Sequence, residues 1–298
     1  MTKIVEVKGL TKTFGNVHAV SEVTFTLEAD KIYGLLGRNG AGKTTIMHIL
    51  TAQQFATSGE LSVFGEHPYE NNLVLSQLCF IKESQKYPDH FRVIDVLKVA
   101  AVIYPNWDQQ FAEQLLLDFR LPVKQRVKKL SRGMLSSVGI IIGLASRAPL
   151  TIFDEPYIGL DAVARSLFYD RLLEDYSLYP RTVLLSTHLI DEVSRILEHV
   201  MVIDGGKLIM NEEADVLRGL GCTVVGLTTA VNAFTAGREV INREPLGAMV
   251  SVTFMGELSQ ADRREASDQG LQLIPVSMQQ LIVHLTGGKH QAKDVNSK

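Results

Sequence analysis

The chain of 298 residues is predicted to fold as an α/β protein with a doubly wound, mostly parallel sheet. Three observations predict this class. A phosphate-binding motif stands between an apolar strand and a helix near residue 40. Apolar strands alternate with helical segments over residues 150–190. From about residue 90 apolar residues recur at helical spacing, which indicates a helical insert at about 84–147.

The phosphate-binding motif fits the P-loop pattern G-x-x-x-x-G-K-[ST] at every fixed position. Its glycines allow successive backbone N–H groups to turn toward a phosphate, and the following helix points its positive end at the same anion. Lys43 would reach the outer phosphates, and the Thr44 hydroxyl would bind Mg²⁺. The residues predicted to hold nucleotide here are Gly37, Asn39, Gly40, Ala41, Gly42, Lys43, Thr44 and Thr45.

The flanks have the strand–loop–helix order that the motif needs. Residues 31–36 are predicted as a buried strand and residues 43–50 as a helix. Upstream, residues 4–8 and 22–28 alternate as strands do, and residues 10–15 are predicted as a turn that carries an exposed aromatic. A further turn and strand are predicted at 58–65, and a helix at about 131–146.

Two later strands end in polar residues that suit phosphate chemistry. The strand at 150–153 is followed by Asp154 and Glu155, and the strand at 183–186 is followed by Thr187 and His188. Asp154 would hold Mg²⁺ beside the P-loop, directly or through water. Glu155 would orient or deprotonate an attacking water. A helix is predicted between these strands at 163–176, and a hairpin follows at 200–208.

The chain is predicted to divide near residues 218–221. The first domain spans 1–217, and a small α/β domain spans 222–286. Within the small domain we predict strands at 222–228, 238–242, 248–255 and 271–275, and helices at 259–268 and 277–285. The polar tail at 287–298 is predicted to be disordered.

Composition narrows the class of protein. A formal net charge of −3 gives no support for general binding to nucleic acid. No run of about 18 uncharged apolar residues occurs, so no membrane-spanning helix is predicted, and the first residues lack a signal peptide's apolar core.

A short segment before the apolar helix makes the prediction more specific. Residues 130–134 read Leu-Ser-Arg-Gly-Met and resemble the signature loop of ATP-binding cassette (ABC) proteins, usually Leu-Ser-Gly-Gly-Gln. In that family, Ser131 and the Gly133 N–H would bind the γ-phosphate of ATP held by the opposite subunit. Ser131 would equally serve as a simple helix N-cap.

The order of the motifs strengthens the resemblance. P-loop, signature, the strand ending in Asp154-Glu155, Gly159-Leu160-Asp161 and His188 follow one another as in ABC ATPases, from residue 3 to about 215. The resemblance implies that Asp161 lines a subunit interface and that His188 contacts the γ-phosphate. Phe14 resembles the aromatic that stacks on adenine; the alternative is a core phenylalanine. The implied fold is a P-loop NTPase cassette with a RecA-like core, an antiparallel β subdomain, a helical subdomain and a small C-terminal α/β domain.

Two departures from the family pattern stand out. Where a glutamine normally contacts Mg²⁺ and the water, the alignment places Glu83, with Gln85 as the alternative. A carboxylate there could bind Mg²⁺ but adds negative charge near the phosphates. The signature also carries Arg132 and Met134 where glycine and glutamine are usual.

The resemblance implies an ATPase subunit of a transporter that uses ATP and Mg²⁺. Its partners would be a separate membrane permease, received by the helical insert around Tyr87–Trp107, and a second nucleotide-binding subunit, identical or different. It would sit peripherally at the cytoplasmic face of the membrane. Residues 271–281 and 285–288 resemble the end of ABC-2-type drug and antimicrobial-peptide exporter ATPases, which favours export. The alternative is an ATP-gated regulatory or assembly module with little transport of its own.

Overall fold

The computed structural model describes residues 2–83 and 85–291. Contacts divide the chain into two compact units. The first comprises Met1–His188 and Ile196–Asn211, and the second Leu189–Arg195 and Glu212–Lys298. The division therefore falls earlier than the predicted break at 218–221, and the second unit also includes a short segment that directly follows His188.

The first unit contains nine strands and six α-helices among the described residues. The strands are β1 (Lys3–Phe14), β2 (Val17–Glu28), β3 (Ile32–Leu36), β4 (Ser58–Val63), β5 (Leu78–Ile81), β6 (Leu150–Asp154), β7 (Thr182–Thr187), β8 (His199–Asp204) and β9 (Lys207–Glu213). The helices are α1 (Lys43–Leu50), α2 (Asn72–Leu75), α3 (Val93–Ile103), α4 (Gln109–Asp118), α5 (Arg132–Ala145) and α6 (Ala162–Leu178).

A six-stranded sheet with the order β5-β6-β7-β3-β8-β9 forms the base of this unit. The neighbours from β5 to β8 pair in parallel. Every residue of β3, β6 and β7 is buried, which is typical of parallel strands covered on both faces. The carboxyl ends of β3, β6 and β7 therefore meet at one edge, and β7 lies between the P-loop strand β3 and β6.

A second, antiparallel sheet has the order β2-β1-β4. The turn predicted at residues 10–15 is wrong, because β1 continues to Phe14 and only Gly15 and Asn16 form the turn. Leu10 is fully buried and pairs with Val23. The β1–β2 register is irregular on both sides of Leu10, and no residue of β1 after Leu10 is buried, so a short sequence window does not reveal that the strand continues.

The segment predicted as a helical insert contains α3, α4 and α5. Helix α5 is buried from Ser137 to Ala145, as its long apolar run predicts. Short polar side chains begin two of these helices: Asp108 accepts the Phe111 N–H at the start of α4 at 2.8 Å, and Ser131 caps α5 in the same way.

The second unit contains helices α7 (Ile190–Val193) and α8 (Ala214–Gly219), followed by β10 (Gly221–Leu227), α9 (Thr228–Phe234), β11 (Glu239–Leu246), β12 (Met249–Met255), α10 (Gln260–Asp268), β13 (Gln272–Pro275) and α11 (Met278–Gln291). Its sheet has the order β11-β12-β10-β13 with every pair antiparallel. This β-α-β-β-α-β arrangement is the ferredoxin-like one. Its core is built around Val224, Val252 and Phe254.

All four strands predicted for this unit are present, whereas helix α9 was not predicted. Helix α11 continues to Gln291, so residues 287–291 are helical rather than part of a disordered tail. The rest of that predicted tail, 292–298, lies outside the described residues.

A buried carboxylate on α6 supports the first unit and gives a stability prediction. Asp175 accepts hydrogen bonds from Arg147 at 2.8 Å and from Arg181 at 2.7 Å, and Asp175 and Arg181 are each only 4% exposed. Asp175→Ala would leave two cations without this partner, so we expect it to lower the free energy of unfolding by about 3–5 kcal/mol in urea denaturation. Glu6→Ala, which removes an exposed pair with Lys3, is the control and should change it little. An equal loss in both variants would contradict this account.

Candidate nucleotide-binding and catalytic site

The P-loop forms a cradle between β3 and α1. Gly42 caps α1 with φ 110, and a Cβ there would lie 2.4 Å from the Ala19 carbonyl oxygen, so only glycine fits. No side chain caps α1, which leaves its first N–H groups available to an anion. The Lys43 ammonium is buried and donates to the carbonyls of Gly37 at 2.8 Å and Arg38 at 3.2 Å.

A cavity of about 270 Å³ opens over this loop. The residues around it are Ala19, Asn39, Gly40, Ala41, Gly42, Lys43, Thr44, Thr45, Glu83 and Glu155. The structure thus brings the predicted P-loop residues together with two predicted carboxylates. Gly37 is buried and contacts the cavity's lysine rather than lining the cavity. Glu83, and not the alternative Gln85, lies at the phosphate loop.

The end of β6 is fastened to its neighbour β7 by one hydroxyl. Ser186 donates to Asp154 Oδ1 at 2.5 Å and accepts the Glu155 N–H at 3.0 Å. Asp154 is only 3% exposed. Ser186 therefore holds the Asp154 carboxylate and the Glu155 backbone. Sequence reasoning did not single it out, although it stands two residues before the predicted His188.

Glu155 is the most constrained residue of the site. Its backbone has φ 49, a left-handed conformation that is uncommon outside glycine and that tends to occur at functional sites. Its Oε1 lies 3.6 Å from Lys43 Nζ, and its Oε2 lies 2.8 Å from His188 Nδ1. Oε1 is buried and accepts no hydrogen bond among the described residues, so one carboxylate oxygen is free to act on a ligand.

Tyr157 belongs to the site, and sequence reasoning missed it. Its hydroxyl donates to Glu155 Oε2 and accepts from Thr187 Oγ1 at 2.8 Å. Burial, followed by the hydrogen bond to Glu155, raises the pKa of the Tyr157 hydroxyl well above its usual value, so it stays protonated. Its position two residues after Glu155 was the signal in the sequence that could have identified Tyr157 as a site residue.

Oxygen groups that suit a hard cation such as Mg²⁺ line the cavity or lie next to it in the chain. Thr44 and Glu83 line the cavity with a hydroxyl and a carboxylate, the ligand types that Mg²⁺ prefers. The Asp154 carboxylate does not line the cavity; it is buried at the end of β6, directly before Glu155. Within residues 2–83 and 85–291, no group of three or more histidine, cysteine, aspartate or glutamate side chains is arranged to hold a metal unaided.

The remaining predicted site residues lie outside this cavity. Ser131 accepts the Met134 N–H at 3.2 Å and Asp161 the Ala164 N–H at 2.8 Å, so both act as helix N-caps here. Gly133 packs closely against the segment that carries Asp161: a Cβ added to Gly133 would lie only 2.4 Å from the Gly159 carbonyl oxygen. Phe14 is 47% exposed, with Lys12 over its ring at 4.9 Å, so it is not a core residue.

Comparison with known proteins decides the family. The family model described as "ABC transporter" matches residues 20–158. The uncharacterized ABC transporter ATP-binding protein YcbN of Bacillus subtilis (strain 168) is 33% identical over 237 residues, which cover 77% of this chain and 76% of YcbN. The chain belongs to the ABC transporter ATP-binding proteins. As an ABC ATPase it binds ATP and hydrolyses it.

Two further comparisons describe this ABC ATPase. The bacitracin transport ATP-binding protein BcrA of Bacillus licheniformis is 30% identical over 216 residues, 70% of this chain and 69% of BcrA. A solved structure of an "ATP binding subunit of ABC transporter" superposes with a TM-score of 0.65 at 26% identity, over 72% of this chain and 92% of that one. The predicted cassette fold is thereby confirmed. In the part of the chain that the structure describes, no helix is long and apolar enough to cross a membrane.

Proposed function

We propose that this ABC ATPase powers the export of a drug, an antimicrobial peptide or a similar amphipathic substrate through a separate membrane subunit. The observation that carries ATP hydrolysis in this proposal is the meeting of Lys43 and Glu155, 3.6 Å apart, in one cavity with the P-loop. The similarity to a bacitracin transport protein supports export. In this proposal residues 1–217 form the nucleotide-binding domain, residues 222–286 are an accessory domain, and the chain is held at the cytoplasmic face of the membrane by its permease.

In the proposed reaction the P-loop N–H groups and Lys43 hold the β- and γ-phosphates. Thr44, Asp154 and Glu83 would hold Mg²⁺, which neutralises phosphate charge when bound. Glu155 Oε1 takes a proton from the water that attacks the γ-phosphorus. The bond from that phosphorus to the bridging oxygen breaks, and ADP and phosphate leave. His188, next to Glu155, would contact the γ-phosphate.

Two nucleotide-binding chains would close on two ATP molecules, as the family resemblance implies. Ser131 and Gly133 of each chain would contact the ATP bound by the other, and Asp161 would line the interface. Hydrolysis removes the γ-phosphate contacts and lets the pair open. Opening and closing would move the permease between inward-facing and outward-facing states.

An apolar groove in the helical insert supports a membrane partner. It has a volume of about 390 Å³, and its sides include Tyr87, Phe91 and α3. On α3, Val99 is 45% and Ile103 is 58% exposed, an unusual exposure for neighbours on one helix face. We infer that an amphipathic segment of the permease occupies this groove, since exposed apolar side chains in a concave surface mark protein interfaces.

A charged side chain introduced into this groove is expected to weaken binding of the permease to this subunit. The double variant Val99→Glu, Ile103→Glu should lower ATP-driven transport in reconstituted vesicles at least about tenfold, because two carboxylates would be desolvated in the interface. Leu178→Glu, a similarly exposed position at the end of α6, is the control and should keep normal transport. Melting temperatures check that both variants fold. Normal transport by the double variant would show that the permease does not bind in this groove.

The same vesicles test the proposed function itself. Wild-type protein with its permease should move substrate only when ATP is present. ATP binding and complex formation without any flux would favour the alternative, an ATP-gated assembly module.

A further inference from the structure

The loop between β6 and α6 carries a tyrosine whose hydroxyl meets four groups. Tyr157 is only 4% exposed. Besides Glu155 Oε2 and the Thr187 hydroxyl, its hydroxyl oxygen lies 3.0 Å from the His188 backbone N–H and 3.1 Å from His188 Nδ1. One hydroxyl therefore joins the carboxylate at the end of β6 to the histidine at the end of β7.

The direction of each hydrogen bond follows from counting protons. A phenol has one proton to donate and lone pairs to accept with. The Thr187 hydroxyl and the His188 backbone N–H both donate to the Tyr157 oxygen. Its single proton is then left for the Glu155 carboxylate, which when ionised can only accept. Thr187 and His188, at the end of β7, therefore fix the Tyr157 hydroxyl, and that hydroxyl fixes Glu155 Oε2.

The two carboxylate oxygens of Glu155 have different partners. Oε2 accepts from Tyr157 and from His188 Nδ1, whereas Oε1 is buried, has no hydrogen bond from any residue that the structure describes, and faces Lys43 Nζ at 3.6 Å. A carboxylate fixed through one oxygen cannot rotate freely, so the other oxygen keeps a defined position.

We propose that Tyr157 is a positioning residue, whose hydroxyl fixes Glu155 Oε2 beside His188 so that Oε1 is presented to the attacking water. The proposal rests on the role proposed above for Glu155. Tyr157 itself does not touch the substrate; it acts through the carboxylate that does.

Tyr157→Phe in the full-length chain removes the hydroxyl and keeps the ring. We expect kcat for ATP hydrolysis to fall about tenfold while KM for ATP changes less than about twofold, because ATP is held by the P-loop and not by Tyr157. Tyr33→Phe is the matched control: Tyr33 is also buried, and its hydroxyl accepts the Glu28 N–H at 2.7 Å, remote from the P-loop end of β3. The control should keep the wild-type kcat, and melting temperatures confirm folding of both.

A double-mutant cycle separates positioning from a general structural role. In a Glu155→Gln background, Tyr157→Phe should change the remaining rate by less than about twofold, because the carboxylate it positions is gone. A wild-type kcat in Tyr157→Phe, or a further tenfold fall in the Glu155→Gln background, would overturn the proposal. A wild-type rate in Glu155→Gln alone would instead overturn the proposed role of Glu155, so the two failures are distinguishable.

Discussion

Lys43→Ala is expected to weaken ATP binding about tenfold to hundredfold and to lower hydrolysis at least about hundredfold. Charge-assisted hydrogen bonds to phosphate contribute about 1.5–3 kcal/mol, which corresponds to that loss of affinity. Hydrolysis suffers more, because the ammonium also stabilises charge that develops in the transition state. Binding of a fluorescent ATP analogue and steady-state phosphate release measure the two effects separately.

The structure adds a second reason for a large effect. The Lys43 ammonium donates hydrogen bonds to the carbonyls of Gly37 and Arg38, so alanine also removes two contacts that shape the loop. Lys8→Ala is the control, since Lys8 forms an exposed ion pair with Glu60 on the antiparallel sheet. Its binding and turnover should equal those of the wild type. Normal hydrolysis by Lys43→Ala would exclude this cavity as the ATP site.

Glu155→Gln is expected to lower kcat by about 10²–10⁴-fold with little change in ATP affinity. Glutamine keeps the shape of the side chain but cannot take a proton from water, and positioned general bases contribute a factor of this size. Its effect should therefore appear in kcat and not in ATP binding, whereas Lys43→Ala should lower both.

Glu60→Gln is the matched control for this substitution. Glu60 lies on β4 with its side chain 79% exposed, so removing its charge should leave turnover unchanged. If Glu155→Gln hydrolysed ATP at the wild-type rate, another group would have to activate the water.

The motif-bearing elements could be predicted closely from sequence. Strand β3, helix α1 and strand β6 start and end within one residue of their predicted positions. The two strands are mostly apolar and are followed by a glycine or end at an acidic residue, and the helix follows the glycine-rich loop, so local chemistry determines these boundaries. Asp161 and Ser131 begin helices for the same kind of local reason.

Other features depend on contacts far apart in sequence. The sequence does not reveal that β7 lies between β3 and β6, because sheet order is a tertiary property. The bonds from Ser186 to Asp154 and Glu155 depend on that order. So does the bond from Thr187 to Tyr157. Sequence reasoning therefore found the site's charged residues and missed the hydroxyls that hold them.

Helix α9 shows a different reason why the sequence failed to predict an element. It has seven residues, begins Thr-Thr, and has no side-chain cap, so its intrinsic helix propensity is weak. Val231 and Phe234 are buried in the core of the second unit. Packing of these two side chains, rather than local sequence, stabilises the helix.

The most direct test of the account is light scattering on purified Glu155→Gln protein, with and without ATP in the absence of Mg²⁺. Because this variant should bind ATP without hydrolysing it, the account predicts an ATP-dependent change from monomer to dimer. The dimer should disappear when Lys43→Ala is added. Protein that binds ATP and stays monomeric would contradict closure of two copies on nucleotide, and would point to a different cassette partner or to a requirement for the membrane subunit.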